Sequence, residues 1–377
     1  MAGVLSGLNH WIASFPPEYH WPLQFCAFTT AATYVASILT ANVSQVDRLW
    51  TFLPTIYTAY FALLPLLPRV QPFFLCPYVP KELDVPDELS PRALLMLGLV
   101  VIWMIRLSYN TWRRGLFNLK DEDYRWAIVR GKVPAWLFQL MNLVFVACIQ
   151  NVLLLVLAVP TAIASVHQPR APLTTTDYGL AALALIDLAL EFTADNQQYA
   201  FQTYKRAFFA REQGRAPVLA YYPAQQWPGA RLAWTPADAR RGFVTRGLWA
   251  YVRHPNFACE QAFWWLITLF PVLPPQAGEP LLTWKSIIHA PTPFVMGRRL
   301  WPLMPAAALS LLFYSSTVLT EAISASKYPE AYKAYQARVG MFKVYHTFFQ
   351  GLELARAGPR KKAEIERLVW GAVEKKR

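Results

Sequence analysis

Apolar residues in this chain come in long runs, at 24–39, 51–67, 93–107, 136–158, 178–194 and 300–319, with a shorter one at 261–272. A helix needs about 20 mostly apolar residues to cross a bilayer, so the pattern predicts about seven transmembrane helices. A large soluble enzyme would need amphipathic surface helices, and few occur here. The expected fold is all-α, a polytopic membrane helical bundle with a polar cavity open to the cytosol. Two proline-rich connections, 68–92 (Pro80, Pro86, Pro91) and 159–177 (Pro160, Pro169, Pro172), read as loops. Residues 1–20 form a short aromatic lead-in without a basic segment before an apolar core, so the first span is expected to anchor the chain rather than be cleaved.

The longest polar stretch, 203–245, carries Tyr204, Tyr221, Tyr222, Trp227 and Trp234. Loops of this length are functional or disordered, and the aromatics predict an ordered flap on the membrane surface. After Gly351, charged and apolar residues alternate, which predicts a basic amphipathic cytosolic tail at 351–377 beside one membrane domain at 1–350.

Composition supports a lipid setting. The chain is 55% apolar and only 16% charged, against about a quarter charged in soluble domains. A net charge of +13 invites a nucleic-acid reading, but its distribution argues against that partner. Arg113, Arg114, Arg125, Arg130 and Lys132, then Lys205, Arg206, Arg211 and Arg215, crowd between the apolar runs, as cytoplasmic loops do. Four scattered cysteines lack any CxxC spacing, so neither a disulfide framework nor a metal site is expected.

Three polar constellations interrupt the apolar pattern. In "RLSYNTWRRGLFNLKDEDYRW", Arg106, Asn110 and Arg113 share one helix face and Arg114 borders it. Neighbouring guanidiniums suit a phosphate; the plainer reading is a positive flank balanced by Asp121, Glu122 and Asp123. In "LIDLALEFTADNQQYAFQTYK", positions 187, 191, 195, 198, 202 and 205 form one polar helical stripe. A carboxylate inside a span costs about 3 kcal/mol, so Asp187, Glu191 and Asp195 need partners or water; a plain hydrogen-bonded seam is the alternative. In "GLWAYVRHPNFACEQAFWWL", Pro255 suits the first helical turn, which puts Asn256 and Glu260 on one face beside Arg253 and His254. Asn donates and accepts, and Glu accepts, as a ribose or carboxamide requires.

"GLWAYVRHPNFACE" resembles the signature of the steroid 5-alpha-reductase-like membrane proteins, written as DUF1295. "EFTADNQQYAFQ", "VDRLWTFLP" and "KYPEAYKAYQARVGMF" are similar to further blocks of that family, so the resemblance covers about residues 45–345. Relatives include NADPH-dependent steroid and sterol reductases and, more distantly, isoprenylcysteine carboxyl methyltransferases, which use S-adenosylmethionine. The resemblance implies NADPH as cofactor, with Asp195, Asn256, Glu260, Asn110 and Arg114 among its contacts. Two positions depart from the usual motif, Cys259 where glycine is usual and Phe257 where tyrosine is usual.

The expected activity is NADPH-dependent reduction of a lipophilic enone or sterol-like double bond, taken from the bilayer. Arg106, Arg113, Arg114 and Arg253 are the expected phosphate ligands, with Asn110, Gln198, Lys205 and His254 completing the cofactor set. Tyr109, Tyr251 and Glu191 are the candidate proton donors. Methyl transfer to a lipid-linked thiol, and a non-catalytic sterol-binding or scaffold role, stand as alternatives. The tail ending Lys375, Lys376, Arg377 points to the endoplasmic reticulum.

Overall fold

The computed structural model describes residue 7 and residues 10–85, 87–273 and 300–371. Pro86 and the closing Lys375, Lys376 and Arg377 therefore lie outside the described residues. Among those described, the regular structure is helical and no strand occurs. Four helices are long and apolar enough to cross a membrane: Pro17–Thr40, Pro91–Arg113, Ala135–His167 and Trp301–Lys327. They mark the chain as an integral membrane protein and contain four of the predicted runs.

The other three runs take different forms. The run at 51–67 yields α3, Leu53–Ala62, after α1 (His20–Thr40) and α2 (Gln45–Leu49). Pro65 and Pro68 follow it, and proline stops a helix by clash and by lack of an N–H. At 1.5 Å per residue α3 is about 15 Å long, half of the ~30 Å a bilayer core demands. The run at 261–272 closes another short helix, and the run at 178–194 lies in a long helix whose apolar half holds three carboxylates.

The connection at 159–177 differs from expectation too. Downstream of α4 (Pro91–Arg113) and α5 (Tyr124–Arg130), the third span is built from α6 (Ala135–Met141), a π-helical stretch at Asn142–Ile149, α7 (Gln150–Val156), α8 (Val159–Ala162) and a second π-helical stretch at Ile163–His167. Pro160 does not end it, because it sits in the first turn of α8, where its missing N–H has no partner to lose.

The chain divides into two compact units, Met1–Leu185 with Trp264–Leu309, and Ile186–Phe263 with Ser310–Arg377. In the first unit, small polar groups on α1 answer amides on the third span. Asn142 Nδ2 donates to Ser37 Oγ at 2.8 Å, and Asn151 Nδ2 to Thr33 Oγ1 at 3.2 Å. Such hydrogen bonds offset the cost of amides buried in an apolar span. Trp103 and Trp264 pack edge to face at 5.0 Å between centroids. At the start of α4, Arg92 and Asp177 form a fully buried forked pair, with Nε to Oδ1 at 2.8 Å and Nη2 to Oδ2 at 3.1 Å. Arg92 Nη1 also donates to Gln168 Oε1 at 2.6 Å, whose amide in turn donates to the Pro271 carbonyl.

The acidic loop near residue 120 is pinned by other residues of the same unit. Arg48 Nη2 donates to the carbonyls of Asn118 and Asp121 at 2.6 and 2.7 Å, and Asn42 Nδ2 donates to Leu119 and Asp121. Glu122 pairs with Arg130 and Asp123 with Arg125. Two of the three acids read as counter-charges of this flank thus engage Arg125 within it and Arg130 just beyond it.

The second unit begins within α9 (Thr175–Glu212) and continues through α10 (Pro236–Arg241), α11 (Pro255–Leu269) and α12 (Met304–Lys327) to α13 (Pro329–Arg338), α14 (Val344–Arg356) and α15 (Pro359–Trp370). The first ten residues of the predicted polar stretch, 203–212, are therefore helical. α10 opens with a reciprocal cap between Thr235 and Asp238, and Asp238 also pairs with Arg241 and Arg246. Burial alone would raise the Asp238 pKa, but the bonds from Thr235 and Arg241 hold it below the usual carboxylate range.

The tail is part of this unit rather than an appendage. Val369 is fully buried with Tyr332, Ala334, Tyr335 and Val339. Its carbonyl accepts from Arg241 Nη1 at 2.6 Å and Thr245 Oγ1 at 3.1 Å, and Trp370 Nε1 donates to the Thr245 carbonyl. An amphipathic helix must bury its apolar side somewhere, and α15 does so against α13.

Candidate functional site: a buried acid–amide group and a motif clamp

The stripe on α9 and the motif helix α11 meet in the second unit. Glu191, Asp195, Asn256 and Glu260 are only 2%, 3%, 8% and 5% exposed. Glu191 and Asp195 lie one turn apart on α9, as do Asn256 and Glu260 on α11, so each pair shares a face. Asn256 Nδ2 donates to Asp195 Oδ1 at 3.2 Å, which joins the two sequence blocks directly. α11 begins at Pro255, as the sequence predicts. Cys259, beside Glu260, is half-buried.

The approach to α11 is held by contacts that the motif spacing alone does not reveal. Gln197, on the same turn of α9 as Asp195, accepts from the Leu248 N–H and donates to the Gly229 carbonyl, both at 2.9 Å. Trp249 is buried against Phe201 and Val244, and its Nε1 donates to the Ala194 carbonyl. Gly247 has φ +65°, and a Cβ there would lie 2.5 Å from Gln197 Oε1. Gln197 cannot yield without releasing two hydrogen bonds. Gly247→Ala is therefore expected to cost about 2 kcal/mol through backbone strain and lost bonding, measured as a lower thermal midpoint. An unchanged midpoint would show that Gln197 moves aside freely.

Arg253 and His254 bond to residues outside the acid–amide group. Arg253 Nε and Nη2 grip Glu321 at 2.7 and 3.0 Å, and Nη1 donates to the carbonyls of Gln336 and Val339. His254 Nε2 lies 2.9 Å from Glu321 Oε1, and Gln336 Nε2 donates to Oε2 at 2.9 Å. The backbone repeats the attachment, since Arg253 N–H and His254 N–H donate to Gly340 and Met341. The imidazole stacks on Phe257. These donors form a clamp that ties the motif to residues 336–341: Arg253, read from the sequence as a phosphate ligand, and His254, read as a further cofactor contact, both bond to other parts of the protein. Glu321 was not among the predicted residues. A lone acid within the apolar run "LLFYSSTVLTEAIS" carries the same cost as the acids on α9, and that signal identifies it.

Lys205 is likewise engaged, donating from Nζ to the Gly242 carbonyl at 2.8 Å. Burial, with Lys327 and Arg206 nearby, lowers its pKa to about 8. Gln198 is half-buried on the same helix. Of the phenols, Tyr251 is 59% exposed and Tyr109 is 44% exposed.

The remaining predicted residues belong to the first unit. Arg106 and Asn110 are buried on α4, Arg113 is half-buried, and Arg114 is exposed at its end. Arg113 grips Asn110 Oδ1 through Nε and Nη2 at 3.0 and 2.9 Å, with its guanidinium 5.1 Å from the Tyr109 ring centroid. Asn110 and Arg113 thus share a face of α4. Among the described residues no cluster of His, Cys, Asp or Glu has the arrangement of a metal site.

Comparison with known proteins agrees with the motifs. No solved structure matches the chain at a significant level. The uncharacterized protein C594.04c of Schizosaccharomyces pombe is 32% identical over 306 residues, which cover 81% of this chain and 74% of that protein. Residues 33–339 match the family described as "Protein of unknown function (DUF1295)". That match takes in the α9 stripe, the motif helix and the Glu321 clamp together, and the chain belongs to the DUF1295 family.

Proposed function

We propose that the protein is an NADPH-dependent membrane reductase of a lipophilic enone or sterol-like double bond. The observation that carries the reading is the buried Glu191, Asp195, Asn256 and Glu260 group, joined by the Asn256–Asp195 bond. Ionisable groups withdrawn from water at such a cost are hallmarks of a site. Asp195 and Glu260 offer carboxylate acceptors for ribose hydroxyls, and Asn256 offers both a donor and an acceptor for a carboxamide. Arg253, read as a phosphate ligand, bonds Glu321 instead, while His254 and Lys205, read as further cofactor contacts, bond Glu321 and the Gly242 carbonyl. When bound, NADPH supplies the hydride. Of the three candidate proton donors, Glu191 is the one shielded from water, and its carboxyl is assigned the proton that reaches the substrate. The same reading includes about seven spans, cofactor entry from the cytosol and residence in the endoplasmic reticulum.

The methyl-transfer alternative draws on one feature of the clamp. With Arg253 committed to Glu321, fewer cations remain for a pyrophosphate and a 2′-phosphate. Titration of the detergent-solubilised protein with NADPH and S-adenosylmethionine separately, followed by thermal unfolding, distinguishes the two. A ligand at 100 times its Kd adds about 2.7 kcal/mol. NADPH is expected to stabilise, and Glu260→Gln and Asp195→Asn to weaken that response while the unliganded midpoint stays close to wild type. Stabilisation by the methyl donor alone would overturn the reductase reading, and silence with both would favour a scaffold.

A further inference from the structure

α14 is amphipathic in the reverse sense. Its inward side is polar or small, and it is fastened firmly. Thr347 Oγ1 donates to the Tyr251 carbonyl at 2.5 Å and accepts from the Gly340 N–H at 2.7 Å. Gln350 Nε2 donates to the Gln336 carbonyl, Gly351 lies against Arg338, and Leu354 is buried one turn on. The side turned away from the protein holds Val344, Tyr345, Phe348, Phe349 and Leu352, all exposed, with Phe348 at 63% and Phe349 at 56%. At 3.6 residues per turn these five occupy an arc of about 140°. An apolar stripe that wide normally faces a core, and here it faces outward.

The surroundings identify what covers it. The last apolar span, Trp301–Lys327, ends one short helix upstream, so the stripe belongs to a chain already held in a bilayer. α14 has 13 residues, or about 20 Å, too short to cross the ~30 Å hydrocarbon core. Basic residues border both ends: Lys343 before it, then Arg356, Arg360, Lys361 and Lys362, against the single acid Glu353 between Lys343 and Lys362. Aromatic side chains on one face with lysines and arginines at the borders suit an anionic lipid–water interface. A partner protein or a second copy would not call for basic residues at both ends of the stripe.

We infer that α14 is an interfacial helix that lies in the surface of an anionic membrane, its Val344–Leu352 stripe among the upper acyl chains. Because Thr347 bonds the Tyr251 carbonyl, this seat holds the loop that leads into Arg253 and His254. The inference stands independently of the reductase reading, since it concerns lipid contact and no cofactor.

The test uses the wild-type full chain in nanodiscs of phosphatidylcholine with or without phosphatidylserine, each doped with a lipid photoactivatable on its upper acyl chain. Crosslinks are mapped by mass spectrometry. Labelling is expected at Tyr345, Phe348 and Phe349 and absent at Glu353, with several-fold higher yield when phosphatidylserine is present. A second measurement places a fluorescent label at Phe348→Cys or Glu353→Cys, with the native cysteines replaced. Brominated lipid is expected to quench the first and aqueous iodide the second. Iodide quenching at both positions, or crosslinks confined to the long apolar spans, overturns the inference. Protection of position 348 from both quenchers, together with a larger oligomer, overturns it in favour of a self-interface.

Discussion

Glu321→Ala is expected to lower stability by about 3–5 kcal/mol, the cost of leaving buried charge without its partner. The carboxylate takes four hydrogen-bonding contacts from three side chains, and its removal strands the Arg253 guanidinium in a buried position. Glu321→Gln keeps an acceptor for Arg253 or His254 but loses the charge, so it is expected to recover only part of the loss. The paired replacement Arg253→Met with Glu321→Leu is expected to cost less than the two single changes added together, because no lone charge remains. Thermal unfolding in detergent measures all five variants, the two single changes of the pair included. A midpoint that Glu321→Ala leaves unchanged would show that the clamp does not support the fold. The consequence extends to the acid–amide group, because Asn256 and Glu260 ride on the helix whose first turn the clamp fixes.

The second large effect is expected at the Arg92–Asp177 pair. Asp177→Ala leaves Arg92 buried with Gln168 alone, again about 3–5 kcal/mol. It also removes the acceptor for the Thr174 N–H and hydroxyl at the start of α9, a loss of about 1 kcal/mol. Burial by itself would raise the Asp177 pKa, yet the bonds from Arg92 and Thr174 outweigh it and hold the pKa below the ordinary value. A carboxylate depressed in the folded state stabilises in full above its unfolded pKa, about 3.9, and that contribution declines as pH falls through the lower folded value. Asp177→Asn should therefore flatten the acid limb of stability against pH below about pH 4. An acid limb identical to wild type would remove Asp177 as its source.

Much of this architecture is legible in local pattern. The acid stripe from Asp187 to Lys205 follows from helical period, and Pro255 marks the start of α11, because both depend on neighbours three or four residues apart. The same arithmetic placed Asn110 and Arg113 on one face, and they are hydrogen-bonded. Run length is less decisive. The run at 51–67 is cut by Pro65, and that at 178–194 is one half of a 38-residue helix. A hydropathy window averages over both breaks and continuations.

Long-range partners were not legible. Arg253 was read as a phosphate ligand because a guanidinium suits one, whereas its partner Glu321 lies 68 residues along the chain. Asp121, Glu122 and Asp123 looked like counter-charges of the flank, and Asp123 does pair with Arg125 two residues on, whereas Glu122 reaches Arg130 beyond the stretch. A cation in a sequence carries no mark of which acid it meets, since several pairings satisfy the same charge.

The sequence by itself determined that this chain lives in a bilayer, where its polar stripe lies and where its motif helix begins. Those properties arise from apolar run length, helical period and proline, all local. Only the tertiary structure decided that the tail packs into the second unit, that Arg253 and His254 serve a clamp, and that α14 turns its aromatic side outward. Packing decides those, because burial of a given face depends on which distant surface arrives to cover it.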